Sequence, residues 1–396
     1  MTSFTFNTTG AIRQDPGGAA RLGALLTDMP ALGAAPGGAA PVPLLFITDP
    51  GIMSLGLADA ALADLARAGF AVKLFDRVAP DPKADTVLAA AALARETGAA
   101  GVVGFGGGSS MDVAKVAALA ARSDQPLDEM YGLGLARGQR LPLVLVPTTA
   151  GTGSEVTMVS ILTTGTSEKK GVVSPLILPD LALLDADLTL GLPPAITAAT
   201  GVDAMVHAIE AYTSASANNN PLSRMLACQA LDLLGANIRT AVTDGGNLAA
   251  RSDMLLGAML AGQAFANSPV AAVHALAYPV GALFHVPHGL SNALVLAQVM
   301  RFNAPACAAD YAALAPHVFP DIDRDRDSQA IAAELIDRLA ALNTELGLQP
   351  GLRGVGIGEG DIDRLAADAM KQTRLLVNNP RPVTEEHARQ IYRAAL

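Results

Sequence analysis

Short apolar runs and helical stretches alternate along the first half of this chain, and this pattern constrains its fold more than any other. Between about Pro43 and Asp187, runs typical of β-strands, such as Gly-Val-Val-Gly-Phe at 101–105, alternate with helical periodicity near 54–68 and 84–97. Strands that alternate with helices predict a doubly wound parallel sheet, Rossmann-like in type. The sequence therefore predicts an α/β domain that binds a nucleotide.

The β-type runs disappear after Leu192-Pro193-Pro194, and Ala- and Leu-rich segments with helical periodicity continue to the C-terminus. The chain has 396 residues, which exceeds the length at which a single core usually keeps growing. We therefore predict two domains, a dinucleotide-binding α/β domain over residues 1–192 and an all-α domain over residues 193–396.

Charge and hydropathy narrow the possible partners and locations. The formal net charge is −10, whereas nucleic-acid binding requires clustered lysine and arginine, so we expect no nucleic-acid partner. A charge-free run precedes Arg301, but histidines and prolines interrupt it, and we expect a buried core there and no membrane contact. The N-terminus lacks a basic region followed by a long apolar run, which predicts a cytoplasmic protein.

Composition also bears on assembly and on redox chemistry. The chain is 51% hydrophobic and 16% charged, which favours tightly packed helices and a buried subunit surface in a homo-oligomer. Its two cysteines, Cys228 and Cys307, have neither metal-ligand nor redox spacing, so they exclude a disulfide framework.

An aspartate and three histidines form the candidate metal site. Asp203 and His207 are four residues apart in a predicted helix, so both project from one face and reach a single point. His274 and His288 lie in the charge-free segment, where we expect an apolar, largely dry environment. One carboxylate and three imidazoles suit Fe²⁺, Zn²⁺ or Mn²⁺, with coordination left for substrate. Taken singly, each histidine is equally compatible with an ordinary hydrogen bond in the core.

A glycine-rich turn is the candidate phosphate site. Gly106-Gly107-Gly108-Ser109-Ser110-Met111-Asp112 follows the strand at 101–105 and opens a helix. Backbone amides there can point at a phosphate, and the helix dipole favours the anion. The run matches neither the GxGxxG nor the Walker pattern, and the alternative is a plain tight turn. Asp112 is predicted either to cap the helix or to orient a cofactor group.

Two further polar positions follow predicted strands. The loop at 147–157 gathers hydroxyls and glycines, which suits contact with a pyrophosphate or a nicotinamide amide, although a polar turn is the alternative. Asp49 ends the strand predicted at Leu44–Thr48, where a carboxylate can accept a hydrogen bond from a ribose 2′-hydroxyl and so favour NAD over NADP. A simple turn-starting aspartate is equally compatible with this position.

Four motifs taken together strongly resemble those of the iron-containing (group III) alcohol dehydrogenase family. They are Gly-Gly-Gly-Ser-Ser-Met-Asp-Val-Ala-Lys at 106–115, Pro-Thr-Thr-Ala-Gly-Thr-Gly-Ser-Glu-Val-Thr at 147–157, Gly-Val-Asp-Ala-Met-Val-His-Ala-Ile-Glu at 201–210 and Pro-His-Gly-Leu-Ser-Asn-Ala at 287–293. The resemblance runs from about residue 44 to Asn379-Pro380-Arg381. It implies NAD as cofactor, a homodimer, and a metal-binding, catalytic role for the helical domain.

The resemblance also implies roles for individual residues. The metal ligands are expected to be Asp203, His207, His274 and His288. The expected cofactor contacts are Gly107, Gly108, Ser109, Ser110, Asp112, Thr148, Thr149 and Thr157, and Asp49, Asp81 and Lys170 match adenosine-side positions less tightly. One departure matters, since many members carry a histidine four residues after the third ligand, where this chain has Tyr278. A tyrosine pKa near 10 makes proton exchange near neutrality harder, so the proton path stays open.

We expect a metal-dependent, NAD-linked alcohol dehydrogenase that interconverts a small alcohol and its aldehyde or ketone. Within the same superfamily, the alternatives are a hydroxyacid dehydrogenase, a hydroxyacid–oxoacid transhydrogenase and a maleylacetate reductase. An acidic substrate would need a cationic partner, which Lys170 or Arg224 would have to supply. Two alternatives come from other functional classes. One is a metal- and NAD-using lyase related to dehydroquinate synthase, and the other is an inactive NAD-binding protein.

Overall fold

The structure is a computed structural model that describes residues 3–32, 40–165 and 168–396. Its strands, in chain order, are β1 (Ala11–Gln14), β2 (Val42–Ile47), β3 (Phe70–Phe75), β4 (Gly101–Gly106), β5 (Gly132–Leu133), β6 (Leu143–Pro147), β7 (Val159–Thr164), β8 (Glu168–Val173) and β9 (Leu181–Leu184). Its helices are α1 (Leu22–Thr27), α2 (Pro50–Ser54), α3 (Asp59–Arg67), α4 (Ala84–Glu96), α5 (Gly108–Ala120), α6 (Pro194–Thr213), α7 (Pro221–Thr243), α8 (Leu248–Asn267), α9 (Ala272–Phe284), α10 (His288–Val318), α11 (Ser328–Glu345), α12 (Ile362–Ala369), α13 (Thr373–Leu376) and α14 (Glu385–Ala394).

The main sheet has six parallel strands in the order β1-β9-β6-β4-β2-β3. Its side chains alternate between two cores. Leu45 and Ile47 of β2 join the core that contains residues of α4 and α5, whereas Leu44 and Phe46 join the core that contains residues of α1 and α3. Both faces of the sheet are therefore covered, as near-continuous apolar strands require. The predicted doubly wound α/β fold is confirmed.

A second, three-stranded sheet has the order β5-β8-β7, with β7 and β8 antiparallel. The sequence analysis did not predict it. Polar residues such as Thr163, Thr164 and Lys169 fill the paired ends of β7 and β8, and these positions are only partly buried. An apolar pattern could not mark strands that cover so little core.

The C-terminal half is all helical, as predicted. Helices α6, α7, α8 and α10 pack against one another. Buried positions lie on all sides of α6, which therefore forms the centre of the helical core. Within the described residues, no helix combines the length and the apolar character needed to cross a bilayer.

Backbone contacts divide the chain into two compact units. One, here called the α/β unit, comprises residues 7–149 and 154–190. The other, the helical unit, comprises residues 191–396 together with 150–153 and 3–6. The segment 150–153 belongs with the helical unit because Gly153 lies against the backbone of Gly262 and Gly151 against Thr200, and a Cβ at either glycine would collide there.

Candidate functional site

Four side chains of the helical unit converge on one point. Asp203, His207, His274 and His288 each offer one ligand atom, and these atoms all lie within 4.8 Å of one another. Asp203 and His207 are one turn apart on α6, whereas His274 lies in the first turn of α9 and His288 begins α10. The structure thus brings together all four residues that the sequence analysis named as ligands.

The connection between α9 and α10 places His288 against α6. Helix α9 ends at Phe284, the next residue, His285, has a left-handed φ of 56°, and Pro287 directly precedes α10. Gly289 then touches α6, since a Cβ there would lie 2.4 Å from the carbonyl oxygen of Ala199. Only a glycine allows so close an approach of two helix backbones.

Burial differs among the four donors. Asp203, His207 and His274 are buried, but the side chain of His288 is 41% exposed. The expectation of a dry environment is therefore wrong for His288, because it occupies the first position of its helix, where part of the ring lies in solvent. The cluster is consequently closed on the α6 and α9 side and open beside His288, as a site that exchanges ligands requires.

The protonation states suit a cation. Burial lowers the pKa of His207 to about 3, so this imidazole is neutral at neutral pH. Burial alone would raise the pKa of Asp203, but the neighbouring imidazoles and the amide of Asn292 hold it below its usual value. The backbone of Gly151 lies close enough to the His207 imidazole to raise its pKa, although by less than burial lowers it. One ionised carboxylate and three imidazoles therefore fit a divalent metal.

Three residues around the donors were not assigned a role from the sequence. The Asn292 amide donates to Oδ1 of Asp203 at 2.5 Å and lies 3.3 Å from Nε2 of both His274 and His288. A carboxylate oxygen of Glu210 lies 2.6 Å from Nδ1 of His274. Phe265 stacks on His207, with 4.4 Å between the ring centroids. Spacing was the available signal, since Glu210 lies three residues after His207 and Asn292 four after His288.

Tyr278 lies beside the cluster and outside the ligand set. Its ring centroid is 5.8 Å from that of His288 and 6.5 Å from that of His274. It follows His274 by one helical turn on α9, so the phenol faces the same region as the imidazole. Tyr278 therefore places an aromatic ring beside the donors without adding a fourth imidazole to the three of the cluster.

The glycine-rich turn lies at the carboxyl end of β4. Gly106 has a φ of 145°, and Gly107 precedes the first residue of α5 without any side-chain cap. A Cβ at Gly107 would meet nothing nearer than the Thr149 hydroxyl at 3.8 Å. The first N–H groups of α5, from Gly108 and Ser109 onward, are thus uncapped by side chains and suit an anion.

Asp49 borders this turn. Its Oδ1 accepts from the backbone N–H of Ile52 and caps α2, and its Oδ2 accepts from the hydroxyl of buried Ser110 at 3.2 Å. The structure therefore shows the turn-capping role that was the alternative for Asp49. Each carboxylate oxygen retains a second lone pair, so the capping role leaves a ribose contact sterically and chemically open.

Asp112 and Thr157 hold a buried lysine. Asp112 accepts from the Ser154 hydroxyl at 2.6 Å and from the backbone N–H of Ile161 at 2.9 Å. Lys115, fully buried, donates to the hydroxyl and carbonyl oxygens of Thr157 and lies 3.3 Å from Asp112. Burial lowers the pKa of this lysine despite the carboxylate. The structure thus gives both predicted cofactor contacts internal partners, while Thr148 is buried and Thr149 half-buried beside the glycine turn.

The two remaining predicted contacts do not form one group. Asp81, at a φ of 53°, pairs with Lys169, whereas Lys170 pairs with Glu168 at 3.4 Å. Neighbouring residues of a strand point to opposite faces, and the two lysines are neighbours on β8. The structure therefore brings Lys169, which the sequence analysis did not single out, to Asp81.

Comparison with known proteins supports the resemblance along nearly the whole chain. The family model described as Iron-containing alcohol dehydrogenase matches residues 30–186, and the model described as Fe-containing alcohol dehydrogenase family, C-terminal, matches residues 197–396. Long-chain-alcohol dehydrogenase 1 of Geobacillus thermodenitrificans is 39% identical over 355 residues, which are 89% of each chain.

Two solved structures have the same fold. A 1,3-propanediol oxidoreductase superposes with a TM-score of 0.92 at 34% identity, over 100% of both chains. The sulfoacetaldehyde reductase from Bifidobacterium kashiwanohense, solved in complex with NAD⁺, superposes with a TM-score of 0.86 at 28% identity, over 100% of this chain and 99% of that one.

Proposed function

Since this chain belongs to the iron-containing alcohol dehydrogenase family, we propose that it interconverts a small neutral alcohol and its aldehyde or ketone. The chain is an NAD-linked oxidoreductase acting on CH–OH groups. We assign Fe²⁺ to the four donors Asp203, His207, His274 and His288, with Zn²⁺ and Mn²⁺ as alternatives for the same donor set.

The convergence of the four donors is the observation that carries the proposal. An ionised carboxylate on α6, the neutral imidazole of His207 and two further imidazoles form a donor set that attracts a divalent cation. A metal bound there would polarise the substrate oxygen, and NAD⁺ would accept the hydride. The exposed part of His288 marks the side from which a substrate hydroxyl reaches the donors.

The glycine turn is proposed to bind the pyrophosphate of NAD. The uncapped N–H groups at the start of α5 supply donors, and Gly107 leaves space for a phosphate beside Thr149. Asp49 is proposed to accept from the ribose 2′-hydroxyl with its remaining lone pairs, which would repel a 2′-phosphate and favour NAD. Lys115 and Asp112 of α5 form hydrogen bonds with the segment 154–161. These bonds would keep the neighbouring cofactor contacts in position.

A neutral substrate follows from the charge around the donors. No lysine or arginine occurs between Lys170 and Arg224 or between Arg251 and Arg301, so α6, α9 and the start of α10 carry no cation. A carboxylate or sulfonate substrate would need such a partner to offset its desolvation. We therefore expect primary alcohols and diols to react better than hydroxyacids.

Tyr278 is the proposed donor of a hydrogen bond near the exposed histidine. Its ring lies next to His288 on the open side of the cluster. Because a phenol ordinarily titrates near pH 10, it would keep its proton at neutral pH and would not exchange it with the substrate. We expect the proton of the alcohol to leave through water beside His288.

The test is NADH formation by metal-stripped protein reloaded separately with Fe²⁺, Zn²⁺ and Mn²⁺, with primary alcohols, diols and hydroxyacids. Activity with simple alcohols that returns with a metal supports the proposal. His274→Ala should abolish activity and weaken metal binding to an affinity that remains measurable, whereas His317→Ala, at a half-exposed histidine paired with Asp232, should change neither. Full activity of His274→Ala with metal bound would reject the ligand assignment, and activity confined to hydroxyacids would reject the substrate class.

A further inference from the structure

Glu210 is a buried acid that completes a stripe on α6. It follows Asp203 by seven residues and His207 by three, so all three side chains share one helix face. The residue is only 4% exposed. A buried carboxylate without bonds would be strongly destabilising, so its partners explain why it is there.

Both oxygens of Glu210 bind the start of α9. Oε1 accepts from the backbone N–H of Val273 at 2.7 Å, and Oε2 lies 2.6 Å from Nδ1 of His274. Helix α9 has no side-chain cap at its own first position, Ala271. Glu210 therefore caps α9 from another helix, and the positive end of the α9 dipole stabilises its negative charge.

The second bond fixes the state of the imidazole. The tautomer that donates from Nδ1 to this carboxylate carries its proton there, which leaves the lone pair on Nε2. Nε2 faces Oδ1 of Asp203 at 4.0 Å and the amide of Asn292 at 3.3 Å, in the centre of the donor cluster. His207, in contrast, interacts with the backbone of Gly151. A carboxylate thus orients the imidazole ring of His274.

We propose that Glu210 is a positioning residue for the metal centre, which sets the tautomer and ring rotation of His274 and raises its basicity toward the ion. This inference rests on the proposed function, because it requires that the four donors bind a metal. Outer partners of this kind typically contribute about 10–100-fold in metal affinity. A glutamine at this position replaces one of the two oxygens by an NH2 donor, so the group that faced that oxygen loses its acceptor.

The experiment measures Co²⁺ affinity by competition with a chromophoric chelator, and the visible absorption of bound Co²⁺ reports the ligand geometry. Glu210→Gln should weaken Co²⁺ binding about 10–100-fold and change the absorption spectrum. The matched control is Glu155→Gln, which makes the same substitution at an equally buried glutamate of the α/β unit and should leave Co²⁺ affinity unchanged. Equal affinity and an equal spectrum for Glu210→Gln and the parent protein would overturn the proposal.

A double-mutant cycle separates positioning from capping. In a His274→Ala background, Glu210→Gln should change Co²⁺ affinity by less than about twofold, because its effect passes through the imidazole. An undiminished effect there would mean that Glu210 acts only by holding α9 and would overturn the proposal. If Glu210→Gln does not fold, Glu210→Asp, which keeps the charge but shortens the reach, takes its place in the cycle. A parent protein that binds no Co²⁺ would refute the proposed metal centre itself, which distinguishes the two failures.

Discussion

At the scale of single residues, buried charged groups have different roles in the two units. In the helical unit, Asp203 and Glu210 lie among imidazoles and amides, and α6, which carries both, contains no lysine or arginine. In the α/β unit, Lys115 is fully buried against Asp112 and three oxygens of the following loop. The first arrangement leaves negative charge to attract a cation, and the second holds a loop in place.

Glu155 supplies a prediction about pH. Burial raises its pKa from 4.5 to about 7, so between these values the folded protein holds a proton that the unfolded chain releases. The unfolding free energy therefore falls as pH rises through this range, by about 1.4 kcal/mol per pH unit and about 3 kcal/mol in all. Glu155→Gln removes the titration. Its stability relative to the parent should rise from about pH 4.5 to about pH 7 and then level off.

Denaturant unfolding of the parent and of Glu155→Gln at a series of pH values checks this expectation. The metal-stripped protein is the appropriate form, because metal binding adds its own pH dependence. A stability difference that stays constant over the range would contradict the prediction. A difference that grows as pH falls would mean that the glutamate is ionised in the folded state.

The residue scale also shows what the sequence could and could not predict about the site. The spacing of Asp203 and His207 is local, and the helical period alone placed them on one face. The bond between Glu210 and His274 joins positions 64 apart on two helices, and no periodicity carries that information. The pairing of Asp81 with Lys169 in place of Lys170 likewise depends on which face of β8 lies toward the neighbouring loop.

At the scale of elements, the close approach of α6 and α10 is the feature on which the donor geometry depends. A Cβ at Gly289 would lie 2.4 Å from the Ala199 carbonyl oxygen and 3.4 Å from Cβ of Asp203. The approach brings the first residue of α10, His288, to within 3.8 Å of the Asp203 carboxylate. The absence of a Cβ at Gly289 therefore sets the separation between two helices that carry different donors.

Gly289→Ala should separate these helices and loosen the donor set. We expect a loss of about 1–3 kcal/mol in stability and of about tenfold or more in Co²⁺ affinity, because ligand atoms tolerate displacements of only about 0.5 Å. Gly235→Ala is a matched control, since its Cβ would lie 2.8 Å from the Val318 carbonyl oxygen, between α7 and the far end of α10. It should lose stability and keep its metal affinity. Equal Co²⁺ affinities in the two variants would show that the Gly289 contact does not position the donors.

The apolar pattern predicted the boundaries of buried strands and helices. It did not predict boundaries that depend on backbone conformation. The strand predicted at Leu44–Thr48 is Val42–Ile47, a shift of the ends only. The single helix expected near 54–68 is instead two helices, Pro50–Ser54 and Asp59–Arg67. Gly56 lies between them with a φ of 66°, which a continuous helix cannot accommodate. An isolated glycine gives little sign of this from sequence alone.

At the scale of the whole molecule, the proposed metal and cofactor contacts fall in different units. The four donors belong to the helical unit, and the glycine turn and its neighbours Asp49 and Thr149 belong to the α/β unit. Each unit has its own core. A ligand that binds one unit should therefore stabilise that unit first, because it raises the free energy of the local openings that break its own site.

Hydrogen exchange with each ligand alone tests this division. Addition of Zn²⁺ to metal-stripped protein should slow amide exchange in α6, α9 and the first turns of α10, and NAD⁺ alone should slow it in α2, at the start of α5 and at residues 147–149 and 154–157. At a ligand concentration of about 100 times the dissociation constant, the added stability is about 2.7 kcal/mol, or about a hundredfold in the exchange rate of amides that exchange through opening of the site. In an Asp203→Ala, His207→Ala double variant, the effect of Zn²⁺ should vanish and that of NAD⁺ should persist. Protection of α5 by Zn²⁺ alone, or of α9 by NAD⁺ alone, would contradict this assignment of the two ligands to separate units.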